Sequence, residues 1–376
     1  MDDEIRRGIW LALRRAGLGS KNFALLLKHF GEIGAAWDAP ADELRRAGLD
    51  APYLRATIRA RASFDPGEEM ELLAKAGARL ITWADAGYPP LLRDIPQSPP
   101  VLVVRGHGDA ALTGAIAVVG TRRATPYGRR ATREFCEEFC RVGLAIVSGL
   151  ARGIDAVAHR VAVEAGAVTV GVLAGGLDEI YPREHESLAA RIEEAGCILS
   201  EYPIGVPARP DYFPRRNRIL AGLATATLVV EAGKGSGALH TANWAFEQGR
   251  DVFAVPGNIY SRSSEGCHRL IRDNVAALVT EPAQLMGELR TASFGRAVPL
   301  PEQGPAADNE TMADLSPDAK RIMEGLGART LHVDELARDF GSPVERLTAE
   351  LAVLELQGRV TQVGPMIYSA SSEPRA

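Results

Sequence analysis

The chain has 376 residues, of which 46 % are hydrophobic and 24 % charged, and its formal net charge at pH 7 is −5. This composition excludes a disordered or fibrous protein, and the length allows two or three domains that each have a hydrophobic core. The apolar runs are of strand length, and the first residues, MDDEIRRGIW, lack both a secretory apolar region and an acid-poor transit composition. We therefore expect a cytoplasmic protein with no membrane partner.

The balance of 43 Lys and Arg against 48 Asp and Glu is mildly acidic, so any polyanion site must come from local clusters of basic residues. The four cysteines contain no CxxC pair, and they are Cys136, Cys140, Cys197 and Cys267. A disulfide framework and a structural zinc site are not expected, and buried small side chains are the favoured interpretation. We expect no metal and no cofactor.

Residues 1–63 are predicted to form a small helical domain. Apolar residues recur at helical spacing in LALRRA, KNFALLLKHFG and ADELRRAGL. The segment GLG at residues 17–19, between two of these helices, has two interpretations. It is either a tight turn, which is the commoner structure, or a turn whose amides bind a phosphate, as in helix-hairpin-helix modules.

Residues 64–290 alternate β-branched runs with helical stretches, a pattern typical of α/β domains. The runs are apolar along nearly their whole length, which indicates burial on both faces of a parallel sheet. Right-handed crossover helices then predict the fold class α/β, with an extended, Rossmann-like, doubly wound parallel sheet. The predicted strands are ARLITW, VLVVRG, AIAVVG, LAIVSG, AVTVGVLAG, CILSEYP, TLVVEAG, DVFAVPG and AALVT.

Residues 291–314 mix Pro, Gly, Ala and acidic residues without periodicity and are predicted to be a linker. Residues 315–370 contain three helical patterns and two short strand patterns, with Ser316 and Ser342 as N-caps, which predicts a winged helix. Its recognition helix carries Arg346 among several glutamates, whereas a reader of the DNA major groove is expected to be basic. A protein-contacting or weakly DNA-binding role is favoured for this domain.

The segment GTRRATPYGRR, residues 120–130, places four arginines directly after the buried strand AIAVV. Gly120 closes the strand, and Arg122 and Arg123 follow in the turn. Thr125 and Pro126 have the residue types of an N-cap and a first helical residue. Such turns at the carboxyl edge of a parallel sheet bind anions through backbone amides and helix N-termini. Similar turns are expected at Ser148, Gly149, Arg152, Gly153 and Asp155, at Gly175, Gly176 and Asp178, and at residues 233–237.

A second cluster, ARPDYFPRRNR, combines cations with aromatic side chains. We expect Arg215 and Arg216, like Arg122 and Arg123, to lie in or beside turns. Cations that neutralise successive phosphates, beside an aromatic face that stacks a base for about 1–3 kcal/mol, are the combination used for single strands. The members of this cluster are Arg209, Arg215, Arg216 and Arg218 around Tyr212 and Phe213.

Several of these residues also have a structural explanation. Arg133 and its neighbours on the following helix are expected to pair with glutamates on a solvated face. Phe213 and Tyr212 fit the hydrophobic core or a turn brace as well as base stacking. Asp155 and Asp178 are expected to be helix caps. Three further polar residues are expected to be structural rather than catalytic acids or bases, and they are His159, Glu201 and Glu231.

Two nucleotide-binding motifs are missing from the sequence. No GxGxxG with a suitably placed acidic residue follows a predicted strand, and GKGSG at residues 233–237 is not a Walker A motif because Lys234 is followed by Gly. Dinucleotide binding and ATP hydrolysis therefore have little support. Whether a nucleotide binds near residues 233–237 stays open.

The chain resembles the DNA processing protein DprA (Smf) family in six blocks that occur in the same order. These are VVGTRRATPYGR, SGLARGIDAVAH, VLAGGLDEIYP, LSEYPIGVPARPDYFPRRNRILAGLA, LVVEAGKGSGALHTANWAFEQGRDVFAVPG and GCHRLIRDN. The resemblance spans about residues 70–285, and three-domain members of the family flank this region with a small SAM-like helical domain and a winged helix. Two blocks depart from the family, with AGGLD in place of GCGLD and ALHTAN in place of SLITAR.

The resemblance implies a protein, not an enzyme, that binds single-stranded DNA through its extended Rossmann domain and forms a homodimer. It implies loading of RecA onto incoming strands during natural transformation, in interplay with single-strand binding protein. It implies no catalytic residue. The implied DNA contacts are Gly120, Thr121, Arg122, Ser148, Gly149, Phe213, Arg215, Arg216 and Arg218, to which the turn positions add Arg123 and Arg152.

We therefore predict a basic, aromatic-containing site for single-stranded DNA over the strand ends of an otherwise acidic protein. Two alternatives belong to other classes. A nucleotide-processing hydrolase of the phosphoribohydrolase type would use a similar domain with Glu201 or Glu231, but the PGGxGT pattern is missing from the sequence. A transcriptional regulator would use the winged helix, and the acidic recognition helix argues against it.

Overall fold

The computed structural model describes residues 3–107, 112, 114–292, 317–326, 330–344, 347–348, 350–351, 354, 360–364 and 366–370. Most of the predicted linker, from residue 293, lies outside these residues, as do Ser316, Arg346 and part of the predicted recognition helix. The chain divides into two compact units, Met1–Pro301 and Glu302–Ala376. The boundaries proposed for a three-domain division remain a prediction.

Six helices open the first unit: α1 Asp3–Arg15, α2 Ser20–Phe30, α3 Ile33–Asp38, α4 Ala41–Arg46, α5 Ala51–Ser63 and α6 Pro66–Lys75. The GLG segment is a tight turn between α1 and α2, in which Gly17 has φ +92° and Leu18 is fully buried. Trp10 of α1 stacks on Phe23 of α2 with ring centroids 5.2 Å apart. Buried side chains of these helices share one hydrophobic cluster with strand residues, so the helices pack onto the sheet.

A nine-stranded sheet forms the centre of this unit, in the order β1-β2-β6-β5-β4-β3-β7-β8-β9. The strands are β1 Ala78–Thr82, β2 Val101–Arg105, β3 Ala115–Gly120, β4 Ala145–Ser148, β5 Thr169–Val172, β6 Cys197–Ser200, β7 Ala226–Glu231, β8 Asp251–Ala254 and β9 Ala277–Leu278. The strands from β6 to β9 in this order are all parallel, which confirms the predicted fold class. The first two strands differ from the prediction, because β2 pairs antiparallel with both β1 and β6.

Helices cover both faces of the parallel strands: α7 Pro90–Arg93, α8 Pro126–Arg141, α9 Ile154–Glu164, α10 Glu186–Ala195, α11 Tyr212–Leu223, α12 Ala238–Glu247, α13 Glu265–Arg272 and α14 Pro282–Ala292. The chain runs outward from β3 through β4 and β5 to β6 and then returns to β7 on the other side of β3. The order therefore reverses between β3 and β7. Ligands of open α/β sheets bind beyond the carboxyl ends of the strands at such a point.

Helix α8 confirms the expected solvated face. Arg133 lies 3.4 Å from Glu137 and 3.3 Å from Glu164, and Arg130 pairs with Glu134. The cysteines confirm the apolar interpretation, because all four are free and three are buried. Burial raises the pKa of the half-buried Cys140 to about 11.

The second unit contains α15 Pro317–Leu326, β10 Thr330–His332, α16 Val333–Phe340, β11 Val360–Gly364 and β12 Ile367–Ala370. Its strands form an antiparallel sheet in the order β10-β12-β11, so a short strand joins the predicted hairpin. Leu347, Leu351 and Leu354 are buried with the other core residues, as the helical spacing of the predicted third helix requires. Among the residues described above, no helix is both long and apolar enough to cross a membrane.

Candidate nucleic-acid interface

The GTR turn, residues 120–122, is held at the point where the strand order reverses. The Thr121 amide donates to the Glu231 carbonyl at 2.6 Å. Thr125 is the N-cap of α8, as predicted, and its hydroxyl accepts from the Gly128 amide at 3.1 Å. Its own amide and hydroxyl both donate to the Glu231 carboxylate at 2.9 Å. These contacts position the turn that carries Arg122.

The loop after β4, residues 149–153, interlocks with the GTR turn. The Ile154 amide donates to the Thr121 carbonyl at 3.2 Å. Gly153 has φ +79°, and a Cβ there would lie 2.2 Å from the Thr121 carbonyl oxygen, so only glycine fits. The Asp155 carboxylate accepts from the Gly149 amide at 3.1 Å and the Ala151 amide at 3.4 Å. The helix-cap expectation for Asp155 is therefore wrong, because it orders the loop and Gly153 is the N-cap.

Asp178 is also not a helix cap, since it accepts from the Gly205 amide at 2.8 Å and links two loops. Ser148 is fully buried, and its hydroxyl donates to the Val118 carbonyl at 2.7 Å. The Ser148 side chain therefore acts within the sheet, one residue before the surface loop.

Arg216 lies beneath this loop and is only 4 % exposed. Its guanidinium donates to the Val172 carbonyl, and a Cβ on Gly149 would lie 2.2 Å from its Nη1 atom. Gly149 therefore leaves the room that the guanidinium occupies. Burial lowers the pKa of Arg216 to about 10, against the opposing charge of Asp155, so the side chain stays protonated at neutral pH. Burial raises the pKa of Asp155.

Arg122, Phe213 and Tyr181 meet at the surface above these loops. The Arg122 guanidinium lies 5.5 Å from the centroid of the Phe213 ring, and this ring meets Tyr181 edge to face at 5.7 Å. Together with Gly149 and Arg152 they line a small space of about 30 Å³, whereas pockets that enclose a ligand have about 300–1,000 Å³. A planar group can lie on this surface, but the pocket does not enclose a nucleotide.

The neighbouring cations differ in how they are paired. Arg152 forms a bidentate, half-exposed ion pair with Glu184, which raises the pKa of Arg152 and lowers that of the carboxylate. Arg123 and Arg215 are exposed and form no ion pair within the described part of the chain. We name the surface formed by Arg122, Arg123, Arg152, Arg215, Phe213 and Tyr181 the strand-end ledge.

Arg215, Arg216 and Arg218 lie in α11 and not in a turn, contrary to the expectation for the first two. Arg218 is 6 % exposed, and its guanidinium donates to the Glu201 carboxylate at 2.7 and 3.0 Å. Arg14 of α1 approaches the same carboxylate at 3.1 Å. We call Glu201, Arg14 and Arg218 the Glu201 cluster. Burial raises the pKa of Glu201, but the two arginines outweigh it and hold the pKa below its usual value.

Tyr212 and Phe213 have different positions. Tyr212 stacks on Tyr202 with centroids 4.2 Å apart, and Arg14 lies over the other ring of this pair, so Tyr212 braces the start of α11. Phe213 is half-buried and faces Arg122. Sequence reasoning missed Tyr181, Tyr202 and Arg14. Tyr181 follows the Gly175–Gly176 turn, and this position after a strand end could have indicated that it belongs to the site.

The polar residues considered for catalysis have structural partners. Glu231 binds Thr125, and Glu201 binds two arginines. His159 is fully buried, and its Nδ1 lies 2.8 Å from the Thr169 hydroxyl. Burial lowers the pKa of His159 to about 3, so it is neutral at pH 7. The described residues contain no group of three potential metal ligands.

Backbone groups in and next to the loop at residues 233–237 form hydrogen bonds within the protein. The Ser236 hydroxyl accepts from the Ala238 amide at 3.3 Å, and its carbonyl accepts from the Leu239 amide at 3.1 Å. Asn217 donates to the Gly237 carbonyl at 3.2 Å and ties the loop to α11. Two amides at the start of α12 thus already have protein acceptors.

The fold and the ledge define a Rossmann-like protein whose basic and aromatic side chains gather over the strand ends, at the reversal of strand order. Comparison with known families agrees with this class. The model of DNA recombination-mediator protein A matches residues 79–290, more than half of the chain, and the DprA winged helix domain matches residues 305–364. The chain belongs to the DNA recombination-mediator protein A (DprA, Smf) family.

Individual relatives are similar over long stretches. Protein Smf of Escherichia coli is 42 % identical over 73 % of this chain and 73 % of its own length. Protein Smf of Synechocystis is 33 % identical over 96 % of this chain and 97 % of its own. The X-ray structure of DprA from Streptococcus pneumoniae superimposes with a TM-score of 0.66 at 32 % identity, over 74 % of this chain and 95 % of that one.

A further solved relative is described by its ligand. The DprA structure from Helicobacter pylori, reported for its single-stranded DNA binding mode, superimposes with a TM-score of 0.52 at 25 % identity. It covers 58 % of this chain and 98 % of its own. This similarity places a known DNA-binding protein on the fold that carries the strand-end ledge.

Proposed function

We propose that this protein binds single-stranded DNA on the strand-end ledge. The observation that carries the proposal is the approach of the Arg122 guanidinium to the half-buried ring of Phe213, 5.5 Å from the ring centroid. An aromatic face flanked by cations can stack one base while neighbouring phosphates meet arginines. Arg123 and Arg215 supply unpaired charge beside it, and Arg152 supplies charge shared with Glu184.

The remaining predicted site residues support this surface from below. Gly120, Thr121 and Gly149 shape the two interlocked loops, and the buried Arg216 adds a fixed positive charge under them. Ser148 and Arg218 act indirectly, since their polar atoms form hydrogen bonds with protein groups. In this proposal they position the ledge without touching the strand.

Membership of the family supports a proposal for the biological role. We propose that the protein is not an enzyme, works in the cytoplasm as a homodimer through its Rossmann-like domain, and loads RecA onto single strands during natural transformation, in interplay with single-strand binding protein. The hydrolase alternative loses its main candidates, because Glu201 and Glu231 have structural partners. The pocket of about 30 Å³ is also far below the volume of a site that encloses a ligand.

Fluorescence anisotropy with labelled single-stranded and duplex oligonucleotides, over a series of salt concentrations, tests the proposal. Arg122→Glu should weaken single-strand binding by well over tenfold, because it replaces an attractive contact with a repulsive one. Arg141→Glu is the matched control, since this exposed arginine ends α8, about 22 Å from its start. Equal binding by wild type and Arg122→Glu would refute the site, and release of a base from a nucleoside monophosphate would favour the hydrolase.

A further inference from the structure

A second exposed aromatic group lies beyond the ledge, on the loop between β8 and α13. Tyr260 is 89 % exposed and Ile259 is 76 % exposed. The loop is ordered by its own hydrogen bonds, since Asn258 accepts from the Tyr260 amide at 2.8 Å and from the Ser261 amide at 2.9 Å. The exposure of these apolar side chains is therefore a feature of a defined loop.

This loop continues the edge of the sheet on which the ledge lies. Strands β4, β3, β7 and β8 are neighbours and parallel, so their carboxyl ends share one edge. The Tyr127 hydroxyl, on the first turn of α8, donates to the Pro256 carbonyl, and the Gly266 amide donates to the Ala232 carbonyl at 2.8 Å. Strand spacings of about 4.8 Å put β8 roughly 14 Å from β4, a distance of about four stacked nucleotides.

Two unpaired cations flank the exposed aromatic side chain. Lys234 follows β7, and Arg262 lies two residues after Tyr260 with its carbonyl against Gly233. Both are exposed, and neither forms an ion pair within the described residues, whereas Arg130, Arg133 and Arg141 on α8 all do. The acidic residues nearest to these cations in the chain are Glu231, whose carboxylate accepts from Thr125, and Glu265 at the start of α13. We name Lys234, Ile259, Tyr260 and Arg262 the distal arm.

We propose that the distal arm binds the continuation of the same single strand, with a base stacked on Tyr260 and phosphates near Lys234 and Arg262; this rests on the proposed function. A single strand fits these groups because its bases are free to stack outward while its backbone meets the cations. A duplex keeps its bases in its own stack and cannot use Tyr260 in this way. The base on Tyr260 would then lie about four nucleotides along the strand from the base on the ledge.

Oligonucleotides of two lengths test the arm separately from the ledge. We expect Tyr260→Ala to lower the affinity for dT12 about fivefold or more and to leave dT4 binding unchanged, because the ledge alone holds the shorter strand. The pair Lys234→Glu and Arg262→Glu should also reduce the salt slope for dT12 by about 1.4. Tyr53→Ala, an exposed aromatic side chain on α5, and Arg141→Glu are the matched controls.

Photo-crosslinking gives a second readout that does not depend on variants. A dT12 strand with 5-iodouracil placed at each position in turn should crosslink to Tyr260 from one end and to Phe213 from positions about four nucleotides away. Unchanged dT12 binding by Tyr260→Ala, equal weakening of dT4 and dT12, or the lack of a Tyr260 crosslink would each overturn the arm. Loss of both lengths in Arg122→Glu would still support the ledge, whereas wild type that binds neither length refutes both.

Discussion

Replacing Glu201 with Gln tests what the Glu201 cluster contributes. The carboxylate is 5 % exposed and accepts hydrogen bonds at 2.7, 3.0 and 3.1 Å from two largely buried arginines. The Gln side chain keeps the shape but leaves these cations without a counter-charge. Removing one partner of a buried ion pair costs about 3–5 kcal/mol. We expect Glu201→Gln to lower the free energy of unfolding of the first unit by about this amount.

Tryptophan fluorescence measures this change directly. The four tryptophans, Trp10, Trp37, Trp83 and Trp244, all lie in the first unit, so urea unfolding followed by their emission reports that unit alone. The loss should shrink as pH falls, because the lowered pKa of Glu201 means that its stabilisation is present above the ordinary carboxyl pKa and disappears as pH falls through the folded value.

The triple variant Arg14→Met, Glu201→Met and Arg218→Met separates the structural role of Arg218 from DNA contact. It removes the carboxylate and both of its arginine partners, so no cation of the cluster is left without a counter-charge. Apolar side chains of similar volume can replace a buried ion-pair cluster at little cost, so we expect stability within about 2 kcal/mol of wild type. If Arg218 only positions α11, this variant should bind dT12 within about twofold of wild type. A Glu201→Gln protein within about 1 kcal/mol of wild type would refute the account of the cluster, and a tenfold loss of binding by the triple variant would make Arg218 a DNA contact.

Two further predictions concern the loop after β4 and a buried histidine. Gly149→Ala should weaken single-strand binding at least about tenfold, because the added methyl would lie 2.2 Å from Nη1 of Arg216; anisotropy that matches wild type would contradict this. His159→Asn should reduce the amount by which the free energy of unfolding falls in acid. The lowered pKa of His159 means that the buried imidazole takes up a proton only when the protein unfolds. Between the pKa of an unfolded histidine, near 6.5, and the folded value of about 3, the free energy of unfolding of wild type should fall by about 1.4 kcal/mol more per pH unit than that of the variant. Urea unfolding at pH 7, 6 and 5 in which both proteins lose the same free energy would exclude this.

The sequence predicted the parallel core because its strands are buried on both faces and read as continuous apolar runs. The same pattern could not show that β2 runs antiparallel, since VLVVR is equally apolar in either direction. Helix α11 was not predicted, because Arg215 and Arg216 were expected to lie in or beside turns. Pro214 lies in the first turn of the helix, where a missing amide costs little.

Only some of the residues that build the candidate site could be recognised from the sequence. Arg122 and Gly149 adjoin strand ends, and strand ends are visible in a sequence. Arg216 and Arg218 are two residues apart and point to different sides of α11, and their partners Asp155 and Glu201 are distant in the chain. Only the fold decides which arginine lies under the loops and which joins α1, so sequence reasoning gave both the same role.

The placement of the charges also accounts for a preference for single strands in the proposed complex. Phe213 is half-buried between Arg122 and Tyr181, whereas Arg123 and Arg215 are exposed at the surface. A base must therefore turn toward the protein before its phosphates reach the cations. A duplex would have to unstack a base, which costs a few kcal/mol, and it would also approach a protein whose net charge is −5. Selectivity then comes from the recessed aromatic ring as much as from the arginines.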